Sequence, residues 1–528
     1  MIYTVGELEG MAVRVAGPDG ERLTCDLEDL RAEGGRLAPG REGLTVYVRD
    51  LDRWVLRLID HDIKIDKVRL ASSYTATCQL GRVRLRDSRL WCDDRPPPLE
   101  VWADELGALR DRVRRITRGQ VEAHPTAAQT AHAVFRATSG AWRHPQDWPA
   151  GLGDLVRASM YGGRLLMHHP VTGWGWDGGV VGCYRNREAR RHARRLRADL
   201  YQLPAGWTMR RWDMRSAYPW AASLSLPDVW GPVEFLTDGA PWRDHRHGVA
   251  AADVMVGDTA CVPARVREGG RTRTIWPRQG IIGGVFTFES LRLAESTGGV
   301  VTLRAIAWPE LTLPVRGCAA IAWTKGRPLA REAVAMLAAV PAGLTGWARR
   351  AAKGLGQRLY GTWAASRWSL ETWTVEDCAA ARVVPRLIIG DDAIVPVRGE
   401  AYPDRAQPAW GAAITSRVAT ELVRVERAVI EAGGMPLYCD TDSVLAALPP
   451  GCAPVETGDR VGDWREDWSG EWAALMAPRR YVLSGGRIVL AGIPAESAHE
   501  LWTRGQATIT LSETLQSAAT TAQVKLRR

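Results

Sequence analysis

The feature that most restricts the fold is a segment with two aspartates two positions apart inside an apolar run, Leu437–Leu445 (LYCDTDSVL). Side chains at positions i and i+2 of a strand share one face, and at a hairpin tip the same pair can approach one site. Two carboxylates that converge in apolar surroundings repel each other unless a cation neutralises them, and Mg²⁺ with substrate phosphates meets that demand. The segment therefore predicts a metal site at Asp440 and Asp442, and the flanking YxDTDS string disfavours a plain aspartate-rich turn.

A second candidate carboxylate lies far upstream, in RWDMRSAYP (Arg211–Pro219), where Asp213 follows a strand-like stretch and precedes a tight Ser-x-Tyr-Pro segment. A two-metal site needs carboxylates from separate parts of the chain, with ions about 3.5–4 Å apart that clamp an in-line displacement. Asp213 and Asp442 together meet this requirement. The pair predicts a site at which pyrophosphate is displaced.

A third candidate is a lysine and a tyrosine seven positions apart, Lys353 and Tyr360, in a helical stretch rich in alanine and arginine. This spacing places both on one helix face, two turns apart. Lys353 can then meet a triphosphate, with phosphate contacts added by Arg349 and Arg350 one turn earlier. Taken alone, the pattern is also that of a basic surface helix.

These three segments, in the order Asp, Lys, Asp-x-Asp, resemble motifs A, B and C of the family B DNA polymerases. Tyr161-Gly162-Gly163-Arg164 resembles the YxGG motif between the exonuclease and polymerase parts, and Arg479-Arg480-Tyr481 stands in the place of the KxY motif. The resemblance covers roughly residues 150–490. The short chain is similar to the protein-primed subgroup of phages and linear plasmids.

The resemblance implies a role for each matching residue. The metal ligands would be Asp213, Asp442 and the carbonyl of Met214, with Asp440 as a further catalytic residue. The nucleotide would be bound by Ser216, Tyr218, Lys353 and Tyr360, with Tyr218 excluding a 2′-hydroxyl. The primer and template would be bound by Tyr161, Gly162, Gly163, Tyr438, Thr441, Arg479 and Tyr481.

The chain departs from the family pattern at several positions. Ala217 replaces the usual leucine of motif A, and Gln357-Arg358 replace the Asn-Ser pair of motif B. Arg479 stands where the KxY motif has lysine, which keeps the charge and changes the geometry. These changes concern nucleotide selection and primer contacts more than the carboxylates.

The resemblance implies an α+β multidomain fold, in which a DnaQ/RNase H-like exonuclease-type domain precedes a right-hand polymerase with palm, fingers and thumb. The expected divisions are an exonuclease-like domain (1–150), palm with motif A (151–320), fingers (321–375), palm with motif C (376–460), and thumb with the C-terminal segment (461–528). The stretches 225–320 and 375–408 are candidate insertions of the protein-primed subgroup.

The first domain contains degenerate candidates for an exonuclease site. Asp26 and Glu28 resemble a DxE motif, and Asp50 falls near the Asn place of the second motif, where Arg53 and Trp54 stand instead of Phe-Asp. Arginine and tryptophan cannot replace a metal-binding carboxylate. We therefore expect the exonuclease fold without 3′–5′ exonuclease activity.

A net charge of +9 fits a polyanionic partner such as nucleic acid. The expected partners are primer-template DNA, deoxynucleoside triphosphates and, for the subgroup, a terminal priming protein, and the expected cofactor is two Mg²⁺ ions, which Mn²⁺ can replace. Nine cysteines without a CxxC pair disfavour a zinc site or a disulfide framework. The sequence shows no signal peptide and no apolar run of about 18 residues, so a cytoplasmic protein of a bacterial host cell is expected, without a membrane partner.

Two other functions compete with a DNA polymerase. An Ile389-Gly390-Asp391-Asp392 string resembles the GDD of viral RNA polymerases, although GDD also occurs as a plain turn. The chain could also be an inactive polymerase relative that binds DNA or a terminal protein. The retention of Asp213, Asp440 and Asp442 argues against the inactive form.

Overall fold

A computed structural model gives the fold of residues 2–9, 12–16, 22–26, 44–48, 51, 54–55, 58, 67–70, 75–80, 83–91, 96–121, 126–139, 150–168, 181–184, 199–268, 271–307, 311, 313–365, 368–381, 387–389, 392–398, 402–403, 405–477, 479–485 and 487–490. The chain divides into two compact units, each built from three segments. Unit 1 contains Met1–Asp154, Ala222–Trp230 and Arg327–Gly411, and unit 2 contains Leu155–Ala221, Gly231–Gly326 and Ala412–Arg528.

The strands are β1 (Ile2–Glu9), β2 (Ala12–Ala16), β3 (Arg22–Asp26), β4 (Leu44–Val48), β5 (Lys67–Leu70), β6 (Thr75–Leu80), β7 (Val83–Asp87), β8 (Leu165–Met167), β9 (Val181–Tyr184), β10 (Asp199–Gln202), β11 (Thr208–Met214), β12 (Leu226–Pro227), β13 (Val233–Thr237), β14 (His247–Met255), β15 (Ala264–Glu268), β16 (Arg271–Ile275), β17 (Ile281–Thr287), β18 (Val300–Leu303), β19 (Cys318–Trp323), β20 (Gly326–Arg327), β21 (Trp368–Thr374), β22 (Leu387–Ile389), β23 (Asp392–Arg398), β24 (Met435–Asp440), β25 (Ser443–Leu448), β26 (Trp464–Gly470), β27 (Trp472–Ala477), β28 (Arg480–Leu483) and β29 (Arg487–Leu490). The α-helices are α1 (Leu99–Ile116), α2 (Ala127–Ser139), α3 (Ala150–Ala158), α4 (Ala217–Ser223), α5 (Phe288–Ser296), α6 (Arg331–Ala339), α7 (Gly346–Trp363), α8 (Val375–Ala380) and α9 (Pro408–Glu431).

Unit 1 contains a mixed sheet in the order β3-β2-β1-β4-β7-β6-β5, in which β1, β4 and β7 are parallel neighbours. Helices α1 and α7 meet where Glu105 Oε2 accepts hydrogen bonds from the backbone N–H groups of Trp347 (2.7 Å) and Ala348 (3.2 Å). A carboxylate at a helix N-terminus satisfies free N–H groups and opposes the positive end of the helix dipole. Behind this contact, Phe135 packs edge-on against Trp363 and Trp410.

The sequence predicted most of the helices in unit 1. The apolar periodicity after the Pro96–Pro98 run predicted α1, and the structure confirms a helix that begins at Leu99. The predicted helix around Ala127–Ser139 is also confirmed. The predicted helical stretch 325–364 is two helices, α6 and α7, separated by a turn around Pro341 and Gly343, whose φ is +78°.

Unit 2 is organised around an antiparallel sheet in the order β26-β11-β25-β24-β8, which is here called the central sheet. A second sheet, β13-β19-β14-β17 with β18 on β14, shares a core with the helix α9 through Val423. A third sheet has the order β10-β9-β27-β28-β29. The predicted long helix at 408–433 is confirmed as α9, and the Gly433-Gly434 pair follows its end.

Some sequence predictions lie outside the described residues. One is the segment 184–197 (YRNREARRHARRLR), which the sequence predicts as a basic amphipathic helix, either a solvated face or a DNA-backbone contact, and most of which is not described. The others are two of the exonuclease candidates, Glu28 and Asp50, and the Gly390-Asp391 part of the GDD string. Asp26 is described as the last residue of β3, the edge strand of the mixed sheet. Among the described residues, no helix combines the length and apolar character needed to cross a bilayer.

Candidate active site

The DTD segment forms a tight hairpin between β24 and β25. Asp440 ends β24 and pairs with Ser443, so Thr441 and Asp442 make the turn. Thr441 has a φ of +59°, and the Asp442 N–H donates to the Asp440 carbonyl at 2.6 Å. The sequence allowed the two aspartates to share one face of a strand or to lie at a hairpin tip, and the structure has the hairpin tip.

Asp213 lies in β11, the strand next to β25. Asp213 pairs with Ser443 in the antiparallel register, and the Met214 N–H donates to the Asp442 carbonyl at 2.8 Å. The prediction that Asp213 and Asp442 come from neighbouring strands is therefore confirmed. Alternation along the strand fixes the direction in which Asp213 points, because Trp212 and Met214 are buried on the opposite face.

The two carboxylates lie in surroundings that disfavour their charged forms. Burial, followed by the charges of Asp213 and Asp440, raises the pKa of Asp442 to about 7. Burial also raises the pKa of Asp213, and the nearby Arg211 guanidinium partly offsets that effect. A divalent cation would relieve this repulsion, and carboxylate oxygens are of the ligand type that Mg²⁺ takes together with substrate phosphates. Within the described residues, no group of three or more His, Cys, Asp and Glu side chains is placed to hold a metal ion.

Asp440 has different partners from Asp442. Its carboxylate accepts hydrogen bonds from Thr441 Oγ1 (2.9 Å), Arg479 Nε (3.2 Å) and the Tyr438 hydroxyl (3.3 Å). Arg479 therefore already neutralises Asp440. The structure thus places Asp440 in contacts that hold the turn, and its catalytic role stays a prediction.

The Arg479-Arg480-Tyr481 segment lies against the same turn. The Arg479 backbone N–H donates to the Tyr438 hydroxyl at 2.8 Å, and its Nη2 donates to Thr441 Oγ1 at 3.1 Å. The rings of Tyr438 and Tyr481 are 5.5 Å apart. The structure thus brings together the four predicted primer contacts Tyr438, Thr441, Arg479 and Tyr481.

Backbone strain is concentrated around the site. Among the described residues, four non-glycine residues have a positive φ, and three of them are Ser216 (+52°), Thr441 (+59°) and Arg479 (+58°). Such conformations cost on the order of 1–3 kcal/mol each and persist where the surroundings hold them. Ser216 is exposed directly before α4, and Tyr218 is half-buried two residues further on.

The Tyr161-Gly162-Gly163 segment packs against the DTD hairpin, and neighbouring side chains hold its tyrosine ring. The Tyr161 ring stacks on Phe286 at 5.7 Å, and the Arg265 guanidinium lies 4.5 Å from the ring centre. Gly163 contacts the turn itself, because a Cβ there would lie 2.6 Å from Thr441 Oγ1. The Thr441 N–H also donates to the Arg164 carbonyl at 2.7 Å.

Replacing Gly163 by alanine is expected to displace the DTD turn, because the new methyl group has no space beside Thr441. Overpacking of this kind costs about 1–3 kcal/mol. Urea denaturation and a DNA primer-extension assay should both show the defect. The double variant Gly163→Ala/Thr441→Gly should regain stability, since glycine removes the clash and suits a φ of +59°. The control is Gly239→Ala, where a Cβ meets nothing within 4 Å.

A buried ion pair supports the hairpin from below, and it was not found from the sequence. Arg164 is fully buried, and its Nη1 lies 2.6 Å from Glu426 Oε1 on α9. The guanidinium also donates to the Ala260 carbonyl at 2.8 Å and to Cys439 Sγ at 3.0 Å, and His168 Nε2 lies 3.1 Å from the same carboxylate oxygen. Burial alone would raise the pKa of Glu426, but Arg164 and His168 together hold it below its usual range. The feature of the sequence that could have indicated a buried ion pair is a glutamate, Glu426, inside the apolar pattern of α9.

Lys353 and Tyr360 lie in unit 1, on α7. Lys353 is exposed, as are Arg349, Arg350 and Gln357, whereas Tyr360 is half-buried. The predicted basic helix face is therefore present. Both the triphosphate role and the basic-surface alternative remain compatible with this placement.

The likeness of this chain to known proteins lies in its fold. No protein-family model matches it, and no curated protein matches its sequence. Solved structures with a similar fold are DNA polymerases.

Two such structures are of Phi29 DNA polymerase. Its orthorhombic crystal form is 13% identical with a TM-score of 0.61, over 94% of this chain and 92% of that chain. Its complex with primer-template DNA and incoming nucleotide substrates is also 13% identical, with a TM-score of 0.59 over 92% of this chain and 88% of that chain. The chain therefore has a DNA polymerase fold, which agrees with the family B resemblance of its motifs.

Proposed function

We propose that the chain is a template-directed DNA polymerase that extends a 3′-hydroxyl with deoxynucleoside triphosphates. The observation that carries the proposal is that Asp213 on β11 meets Asp442, which lies in the turn directly before the neighbouring antiparallel strand β25. The surroundings raise the pKa of both carboxyl groups. A DNA polymerase fold over most of the chain supports it.

Asp213, Asp442 and the Met214 carbonyl would hold two Mg²⁺ ions, for which Mn²⁺ can substitute. Bound ions supply electrostatic stabilisation of the charge that develops at the α-phosphate. The chain's own contribution is positioning. Arg479 and Asp440 fix the DTD turn, and the buried rings of Tyr438 and Tyr481 support it from the core. The exposed side chain of Arg479 would contact the primer end.

The nucleotide would be selected by residues around the turn and on α7. Tyr218, half-buried on α4, would exclude a 2′-hydroxyl next to Ser216. Lys353 would bind the triphosphate, and Tyr360 would contact the minor-groove edge of the new base pair. These roles give the enzyme its preference for deoxynucleotides.

The mixed sheet of unit 1 would be the exonuclease-type domain, with a degenerate site. The sequence supports this, because Arg53 and Trp54 stand where the second exonuclease motif has Phe-Asp, and neither can bind a metal. The central sheet would be the palm and α7 part of the fingers. Incubation of a mismatched 3′ end with Mg²⁺ should leave the terminal nucleotide in place; its removal, abolished by Asp26→Ala, would contradict the degenerate site.

The partners would be primer-template DNA and deoxynucleoside triphosphates, as in the Phi29 DNA polymerase complex. The net charge of +9 supports a polyanionic partner. A terminal protein offering a Ser, Thr or Tyr hydroxyl would serve as the first primer in the cytoplasm of a bacterial host cell.

The test is primer extension by the purified full chain with Mg²⁺. The wild type should extend a DNA primer with deoxynucleotides and not with ribonucleotides. Asp213→Asn and Asp442→Asn should each lose roughly 10²–10³-fold in rate, while the exposed control Asp238→Asn stays active. Equal activity of both site variants and wild type would contradict the site. No extension by the wild type, with or without a terminal protein, would favour a binding module.

Lys353→Ala is expected to raise the KM for deoxynucleotides roughly tenfold or more with a smaller effect on kcat, because a charge-assisted phosphate contact is lost. Steady-state primer extension at varied nucleotide concentration measures it. The control Lys325→Ala removes an exposed lysine from unit 2. An unchanged KM would indicate that α7 is a basic surface helix in which Lys353 does not bind the triphosphate.

A further inference from the structure

Two arginines lie beside the Asp213 carboxylate, and they are held differently. Arg211 precedes Asp213 by two residues on β11, is buried, and lies 4.0 Å from Asp213 Oδ1. Arg465 lies on the edge strand β26, directly opposite Asp213 in the register, and its Nη2 donates to Asp213 Oδ2 at 3.3 Å. The Arg465 side chain is 48% exposed.

Arg211 cannot withdraw from the site. Its Nη1 contacts Asp467 on β26, and Arg487 Nη1 lies 2.9 Å from the same Asp467 oxygen. Asp467 is itself nearly buried and holds Arg211 in place, because without Arg211 this carboxylate would keep only Arg487 as a partner. Arg211 is therefore a fixed charge beside Asp213.

Arg465 is free to leave, because an exposed ion pair on a flexible side chain is weak. A carboxylate oxygen that accepts from a guanidinium is a poorer ligand for a divalent ion, since the two cations approach the same oxygen and repel each other. An ion at Asp213 must therefore displace Arg465. The displaced guanidinium remains within the site, where its planar donors match a phosphate.

We propose that Arg465 is an exchangeable cation at this site. This proposal rests on the function proposed above. It neutralises Asp213 while no divalent ion is bound. When the ion and a deoxynucleoside triphosphate bind, the guanidinium moves from Asp213 to the phosphates of the nucleotide. The exchange makes and breaks no covalent bond.

The first test measures Mn²⁺ binding to the full chain without nucleotide, by electron paramagnetic resonance of the free ion. Arg465→Gln should bind Mn²⁺ roughly two- to fivefold more tightly than the wild type, because its competitor is gone. The matched control Arg460→Gln removes an exposed arginine five residues earlier and should bind like the wild type. Asp213→Asn should bind more weakly.

Unchanged or weaker binding in Arg465→Gln, with normal binding in the wild type, would overturn this inference and leave the proposed function intact. A wild type that neither binds Mn²⁺ nor extends a primer would overturn both.

The second test is the KM for deoxynucleotides in primer extension at saturating Mg²⁺. Arg465→Gln should raise this KM roughly five- to tenfold, with a smaller change in kcat, because a charge-assisted phosphate contact is lost. Arg460→Gln should match the wild type. An unchanged KM in Arg465→Gln would overturn the proposed contact between Arg465 and the phosphates of the nucleotide.

Discussion

Replacing Glu426 by glutamine is expected to lower the free energy of unfolding by about 3–5 kcal/mol, because Arg164 is left buried without a counter-charge. The loss should reach the active site, since the Arg164 carbonyl accepts the Thr441 N–H and its guanidinium contacts Cys439. We therefore expect slower primer extension as well as lower stability. Urea denaturation followed by tryptophan fluorescence measures the first effect.

The same helix supplies the control. Glu431 is exposed and lies 3.8 Å from Arg427 across one turn, so Glu431→Gln should cost less than about 0.5 kcal/mol. The double variant Arg164→Met/Glu426→Leu removes both charges and should recover most of the stability that Glu426→Gln loses. If Glu426→Gln were as stable as Glu431→Gln, the Arg164–Glu426 pair would contribute little to the free energy of unfolding.

Asp442→Asn is expected to stabilise the metal-free protein at neutral and alkaline pH, while it lowers the rate of primer extension roughly 10²–10³-fold. The pKa of Asp442 is raised to about 7, against about 3.9 in an unfolded chain. Below pH ~4 the carboxyl is protonated in both states and costs nothing. As the pH rises to 7, the unfolded state releases its proton first, so the wild type loses stability, by about 2–4 kcal/mol in all. Asparagine does not titrate and avoids this loss.

The measurement is the urea midpoint of wild type and Asp442→Asn in EDTA between pH 4.5 and 8. The two curves should converge at the acidic end and separate toward pH 8, with the variant more stable. Adding Mg²⁺ at pH 8 should stabilise the wild type and leave the variant unchanged. The exposed Asp238→Asn should follow the wild type throughout. A variant that is no more stable than the wild type at pH 8 would contradict the raised pKa.

Local patterns in the sequence predicted the parts of the fold that depend on neighbouring residues. The apolar spacing after Pro98 predicted α1. The acid pair inside LYCDTDSVL allowed one strand face or a hairpin tip, and the structure has the hairpin between β24 and β25. Asp213 could be matched with Asp442 because two-metal chemistry demands a partner from elsewhere in the chain. These predictions needed only periodicity and charge.

Contacts made by long-range packing could not be predicted in the same way. Nothing in the segment around Arg164 indicates that its guanidinium is buried against Glu426, because the pair forms only when β8 and α9 pack. The register of β26 is equally hidden, so the contact of Arg465 with Asp213 was missed. Asp440 was assigned to catalysis from its spacing, and its engagement by Arg479 depends on a turn with a positive φ.

The strand order of the central sheet also has a consequence for biosynthesis. The sheet begins in sequence with β8 at Leu165 and is completed by β26, which ends at Gly470. During translation β11 leaves the ribosome long before its neighbours β25 and β26, so its edges remain unpaired and available to chaperones or to another nascent chain. The central sheet can therefore be completed only after Gly470 has emerged.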